Sequence, residues 1–148
     1  MPLRVLACLC VAAALGCSPD NVNSPLAFFP GAERTSWDDC GKFATGSNEI
    51  LVCAGFVNQP GTNTPVAFSI SFYLPRTLDV RIVVYDSHGT LVRVLLNDLE
   101  PATIGQFRTP PVDWDLKNSA GTRVPPGDYR VYMKAGDSFL SSSDLSLP

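Results

Sequence analysis

Val66-Ala67-Phe68-Ser69-Ile70-Ser71-Phe72-Tyr73-Leu74 is the stretch that decides how this chain folds. Phe68, Ile70, Phe72 and Leu74 occupy every second position, while Ser69, Ser71 and Tyr73 fill the alternate ones. A period of two belongs to a β-strand with one buried face. The next run repeats it, with Leu78, Val80, Ile82 and Val84 set against Asp79, Arg81 and Tyr85. Neither apolar face can leave water alone, but the two together can enclose a core.

Working outward, Asp86-Ser87-His88-Gly89 places an Asp where a turn begins and a Gly where positive φ is cheap. Thr90 to Leu96 is therefore expected to fold back as a hairpin partner. Val112-Asp113-Trp114 follows, then a polar connector from Asp115 to Arg123. In Tyr129 to Lys134, Tyr129, Val131 and Met133 alternate with Arg130, Tyr132 and Lys134. Upstream, Glu49-Ile50-Leu51-Val52-Cys53 is a further strand candidate. Short apolar runs separated by turn residues, with no helical period beyond the N-terminus, predict an all-β domain.

The N-terminus has a different character. Met1 to Gly16 holds one cation, Arg4, followed by a short apolar run, the make-up of an export signal. A membrane span needs roughly 20 apolar residues, and Ser18-Pro19-Asp20 ends this run well before that. The closing Ala14-Leu15-Gly16-Cys17 resembles a bacterial lipoprotein signal, or lipobox. The resemblance implies that Cys17 becomes a diacylglyceryl thioether and the first residue of the mature chain. Two or three acyl chains, at ~0.8 kcal/mol per buried CH₂, would anchor it stably. An uncleaved anchor, or a secretory signal cut elsewhere, is the alternative. Ser18 after Cys17 favours the outer membrane, by analogy with other lipoproteins.

Of the five cysteines, Cys8 and Cys10 lie in the leader and Cys17 is the proposed lipid site, which leaves Cys40 and Cys53 as an even pair. In an exported protein such a pair suggests a disulfide worth about 3 kcal/mol. Two buried free thiols or half of a metal site are the other readings. Residues 18 to 30, rich in Ser, Asn and Pro, read as a tether. Within it, Leu26-Ala27-Phe28-Phe29 is either a first edge strand or a membrane-surface contact, and docking on the domain is the favoured reading. The expected organisation is a signal peptide over 1–16, a lipidated Cys and tether over 17–34, a disulfide-containing strand region over 35–63, and a β-sandwich over 64–148.

The whole chain has 148 residues and a net charge of −3. Loss of the leader removes Arg4 and leaves ten basic residues against 14 acidic ones, near −4. No basic face is available to neutralise phosphates, so nucleic acid is not expected as a partner.

The ordered set Phe68 to Pro75, Val80 to Asp86, Gly89-Thr90-Leu91-Val92-Arg93, Trp114-Asp115, Gly121 to Val124 and Pro126-Gly127-Asp128-Tyr129 resembles the FlgD-type immunoglobulin-like domain. That domain is the Ig-like module of the flagellar hook-capping protein, and similar modules recur near the C-termini of exported bacterial proteins. The match covers about Thr64 to Gly136 and implies an Ig-like antiparallel β-sandwich with Greek-key connections. In such a domain Trp114 would fill the space between the sheets. Gly89, Gly121 and Gly127 would sit at turns, and Tyr129 would bury its ring while its hydroxyl finds a backbone acceptor. Family members carry Gly after the Trp-Asp pair, where this chain has Leu116, so a different turn is expected there.

Little in the chain points to catalysis. Its single His, His88, falls in a turn, and base-assisted nucleophilic chemistry needs a positioned one. Asp113, Asp115 and Asn118 lie close enough to suggest calcium, but their spacing is not that of an EF-hand and turn capping is the simpler role. The glycines follow no phosphate-loop pattern. No catalytic residue, metal or cofactor is expected. The reading is a non-enzymatic, lipid-anchored Ig-like module of the bacterial envelope, attached to the membrane by its acyl chains and acting on another envelope protein. Its edge strands are the natural contact surface. The alternative is a carbohydrate- or small-ligand-binding module using Trp37, Tyr73, Tyr85 or Tyr132 as an exposed aromatic face.

Overall fold

A computed structural model describes residues 37–42 and 48–148. The leader, Cys17, the tether and Leu26 to Phe29 lie outside the described residues. The rest is all-β. Seven strands, β1 (Leu51–Asn58), β2 (Pro65–Tyr73), β3 (Leu78–Asp86), β4 (Leu91–Glu100), β5 (Val112–Trp114), β6 (Gly127–Ala135) and β7 (Phe139–Leu147), follow one another along the chain. One sheet runs β1-β2-β5 and the other β4-β3-β6-β7, all pairs antiparallel. The crossings from β2 to β3, from β4 to β5 and from β5 to β6 each change sheet. They give an Ig-like sandwich in which the four-stranded sheet is the CFG sheet with one strand added.

The period-two pattern determines which residues meet. Phe68, Ile70 and Phe72 of β2, Val80, Ile82 and Val84 of β3, and Tyr129, Val131 and Met133 of β6 all lie in one continuous core. Trp114, from the short strand β5, fills the middle of it and is fully buried. β2 and β3 are consecutive but lie in opposite sheets, so their apolar faces meet across the sandwich.

Three boundaries differ from the sequence reading. β1 pairs with β2 along its length, from Leu51 with Tyr73 to Asn58 with Pro65. The sandwich therefore starts before residue 64, and the expected border between 35–63 and 64–148 runs through its first hairpin. β4 continues to Glu100 rather than ending at Leu96, because Leu78 and Val80 of β3 keep pairing with Glu100 and Asp98. β7, which closes the four-stranded sheet, carries too many serines to declare itself in the sequence.

Candidate functional site

Cys40 and Cys53 are joined in a disulfide with their Cα atoms 4.8 Å apart. Asp39 helps to seat it. One carboxylate oxygen accepts the Val52 N–H at 3.1 Å and the other faces Lys42 Nζ at 2.5 Å, which raises the ammonium pKa through hydrogen bonding and charge. Asp38 bridges to Cys53, and the Ala54 N–H donates to the Trp37 carbonyl at 2.9 Å. Residues 37–42 thus lie on β1 as a short edge piece closed by the 3-10 turn Asp39–Gly41.

Trp114 and Tyr129 pack edge to face at 5.4 Å. The Trp114 indole N–H donates to the Lys117 carbonyl at 2.9 Å, and the Tyr129 hydroxyl donates to the Pro125 carbonyl at 2.7 Å. A tyrosine near the start of a strand whose hydroxyl bonds backbone a few residues upstream is the tyrosine corner of Ig-like sandwiches. Burial, with Asp86 adding to it, raises the Tyr129 pKa. Gly89 (φ 78°) and Gly121 (φ 80°) hold left-handed turn conformations, and Gly127 has φ 147°.

Leu116, after the Trp114-Asp115 pair, does not sit in an ordinary turn. It adopts φ 57°, a left-handed conformation that costs an L-residue about 1–2 kcal/mol. Its side chain is fully buried in the core, which returns roughly 1.5–3 kcal/mol. The connector from Asp115 to Arg123, expected to be merely polar, therefore sends an apolar anchor inward.

Of the three oxygen-bearing residues suggested by the sequence, Asp113 lies in β5, and Asp115 and Asn118 are engaged in the turn. Asp115 Oδ1 accepts from Arg93 at 2.7 Å and from the Lys117 N–H at 3.2 Å. Asn118 Oδ1 accepts the Ala120 and Thr122 amides, each at 3.0 Å. His88 is exposed in the turn after β3, where Asp86 Oδ1 accepts the His88 and Thr90 amides at 2.9 and 2.8 Å.

The aromatic-platform reading is overturned. Trp37, Tyr73, Tyr85 and Tyr132 are all buried. Trp37 turns into the core and its indole N–H donates to Ser141 Oγ at 2.9 Å. Tyr73, Tyr85 and Tyr132 do point away from the core face of their strands, but an outward position on a strand is not the same as an exposed one.

Exposed apolar surface lies elsewhere, on Phe56, Val57 and Val66 of the β1–β2 hairpin and along β4 and the loop after it. Leu99 is 61% exposed and Ile104 89%. Among the described residues β4 is one of the two edge strands of its sheet. Near its start the edge is covered: the Ser119 N–H and hydroxyl both donate to the Val92 carbonyl at 3.1 Å, and Arg93 pairs with Asp115. Towards its end a shallow groove of about 550 Å³ is lined by Asp79, Arg81, Asn97, Asp98, Leu99 and Lys134. The following loop is fastened by Arg108, whose guanidinium lies over the Phe72 ring at 5.7 Å and pairs with the nearly buried Glu100 at 2.8 Å. Sequence reasoning named edge strands in general. It missed this one because nothing local marks Leu99 as lying at a sheet edge.

The fold defines an Ig-like β-sandwich domain. No protein-family model and no curated protein sequence matches the chain. Among solved structures it is similar to dimeric latent PorU from Porphyromonas gingivalis, with a TM-score of 0.45 and 18% identity. That match covers 69% of this chain and 9% of PorU, and no property of PorU is carried over on it.

Proposed function

We propose that the mature protein is a non-enzymatic module of the bacterial envelope, held to the outer membrane by acyl chains on Cys17 and acting by contact with another envelope protein. The observation that carries the contact role is the edge position of β4 among the described residues, with Leu99 exposed near its end and Ile104 exposed in the loop that follows. An edge strand offers backbone donors and acceptors to an incoming strand, and Leu99 beside the charged groove adds an apolar contact within a polar rim. The non-enzymatic reading is supported by the placement of His88 in an exposed turn, where its neighbour Asp86 is engaged by turn amides. Anchoring rests on Ala14-Leu15-Gly16-Cys17 and on a cysteine count in which Cys40 and Cys53 pair with each other.

Processing tests the anchor. Globomycin treatment, or Cys17→Ser, is expected to leave an unprocessed precursor, and fractionation of untreated cells should recover the mature form with the outer membrane. Normal processing under both treatments would refute it.

A further inference from the structure

Residues 37–42 join the two sheets at the side where both end. Among the described strands β1 is an edge of the three-stranded sheet and β7 an edge of the four-stranded one. Trp37 stands between them. Its carbonyl accepts the Ala54 N–H of β1 at 2.9 Å, and its indole N–H donates to Ser141 Oγ of β7 at 2.9 Å. The residue is buried and belongs to the core, so its ring closes the seam between the sheets on this side.

Among the described residues this piece is held down by the Trp37 ring and its two hydrogen bonds, by the Asp38 bridge to Cys53, by the Asp39 carboxylate that accepts the Val52 N–H at 3.1 Å, and by the Cys40–Cys53 disulfide. The Asp39–Lys42 ion pair lies within the piece and does not attach it. One buried ring and a few hydrogen bonds are of the same order as the conformational entropy lost by six ordered residues. The covalent link therefore decides whether the piece stays on β1. The sandwich itself does not depend on it, because β1 keeps its full pairing with β2 and the other strands pair without residues 37–42.

The bridge is also open to attack. Cys40 is exposed and Cys53 half-buried, and exposed disulfides are the ones that exchange with external thiols. We propose that Cys40–Cys53 is a redox latch: reduction by a dithiol releases residues 37–42 from β1, withdraws Trp37 from the seam and uncovers the β1 edge while the sandwich stays folded. One thiolate of the dithiol attacks Cys40 Sγ, the bond between the two cysteine sulfurs breaks, and the Cys53 thiolate leaves. The second thiolate of the dithiol attacks its own sulfur in the mixed disulfide and expels the Cys40 thiolate. The reductant departs as a disulfide, two electrons have passed to the bridge, and the two protons its thiols gave up are taken by Cys40 and Cys53. In the open form the Val52 and Ala54 N–H groups face outward from β1, the edge geometry that accepts an added strand. The latch works whether or not Cys17 carries lipid.

Amide hydrogen exchange of the full chain, followed by NMR with and without dithiothreitol and in the absence of denaturant, tests this. Successive N–H groups of an antiparallel strand point to opposite sides, so Val52 and Ala54 face residues 37–42 while Cys53 and Gly55 face β2. In the reduced chain Val52 and Ala54 are expected to exchange within about tenfold of the rate of an unstructured chain, and Cys53 and Gly55 to stay at least about 100-fold slower. The Trp37 indole N–H should lose its protection with them, whereas that of Trp114, which donates to the Lys117 carbonyl, should keep it. Cys40→Ser/Cys53→Ser is expected to show the same pattern without reductant, which assigns the effect to this bridge and not to Cys8, Cys10 or Cys17. A bridge that dithiothreitol does not reduce, protection at Val52 and Ala54 that survives reduction, or loss of protection at all four amides together would overturn the proposal. If the double Ser variant does not accumulate, the reduced parent chain still decides.

Discussion

Replacing Leu116 by Ala and, separately, by Gly is expected to invert the usual order of these two substitutions. At a buried position with ordinary backbone, Gly is less stable than Ala by roughly 0.5–1 kcal/mol, because it loses more backbone freedom on folding. Leu116 has φ 57° and no exposed surface. Leu116→Ala keeps the left-handed strain and leaves a cavity, at a cost of about 3 kcal/mol. Leu116→Gly loses one further carbon, worth ~0.8 kcal/mol, but releases the 1–2 kcal/mol that an L-residue spends in this conformation. Replacing Gly by Ala where φ is positive costs more than about 0.4–1 kcal/mol, so the Gly variant should be the more stable by up to about 1 kcal/mol. Urea denaturation with the disulfide intact reads this as a higher midpoint at equal slope, and thermal melting as a gap of up to about 4 °C. Val84, fully buried at the centre of β3, supplies the control, where Val84→Gly must fall below Val84→Ala. Leu116→Ala equalling or exceeding Leu116→Gly while the Val84 pair behaves normally would refute the left-handed assignment.

Tyr129→Phe removes the hydrogen bond to the Pro125 carbonyl and should cost about 1 kcal/mol at neutral pH. Its raised pKa also gives a pH signature. The folded state holds the phenol proton more tightly than the unfolded chain, so this stability is complete below the unfolded value near 10 and is lost as pH rises through the folded value. Denaturation curves taken from neutral to alkaline pH should therefore fall less steeply for Tyr129→Phe than for the parent. Reduction of the Cys40–Cys53 bridge, or the double Ser variant, should lower stability by about 3 kcal/mol, measured by chemical denaturation with and without reductant. Arg108→Ala strands Glu100 in a nearly buried position and should cost about 2 kcal/mol. The double variant Arg108→Ala/Glu100→Gln is expected to recover part of that loss in a double-mutant cycle.

What could be read from the sequence follows from where one face is buried and the other solvated. β2, β3 and β6 announce themselves because Phe68, Ile70, Phe72, Val80, Ile82, Val84, Val131 and Met133 recur at every second position, even though Val83 breaks the polar side of the alternation. β7 does not, because Ser141 and Ser142 are buried as serines, Ser141 receiving the Trp37 indole N–H. β5 coincides with the run Val112-Asp113-Trp114, but its place beside β2 is a non-local pairing that no window of sequence contains. The outward tyrosines illustrate the limit of periodicity: it assigns a side chain to a face of the strand but is silent about what covers that face. Leu99 and Ile104 were equally invisible, since exposure of an apolar side chain depends on which strand ends up at the edge. Leu116 lay in a stretch read as polar, and its left-handed backbone is set by the turn around it rather than by its own preference.

The contact role through β4 is tested most directly by placing p-benzoylphenylalanine at Leu99 in the full chain and irradiating living cells. A discrete adduct with an envelope protein, absent when the same probe replaces exposed Thr62 in the β1–β2 turn and abolished by Ile104→Asp, is the predicted result. Adducts of equal yield from positions 99 and 62, or none from position 99, would contradict the account.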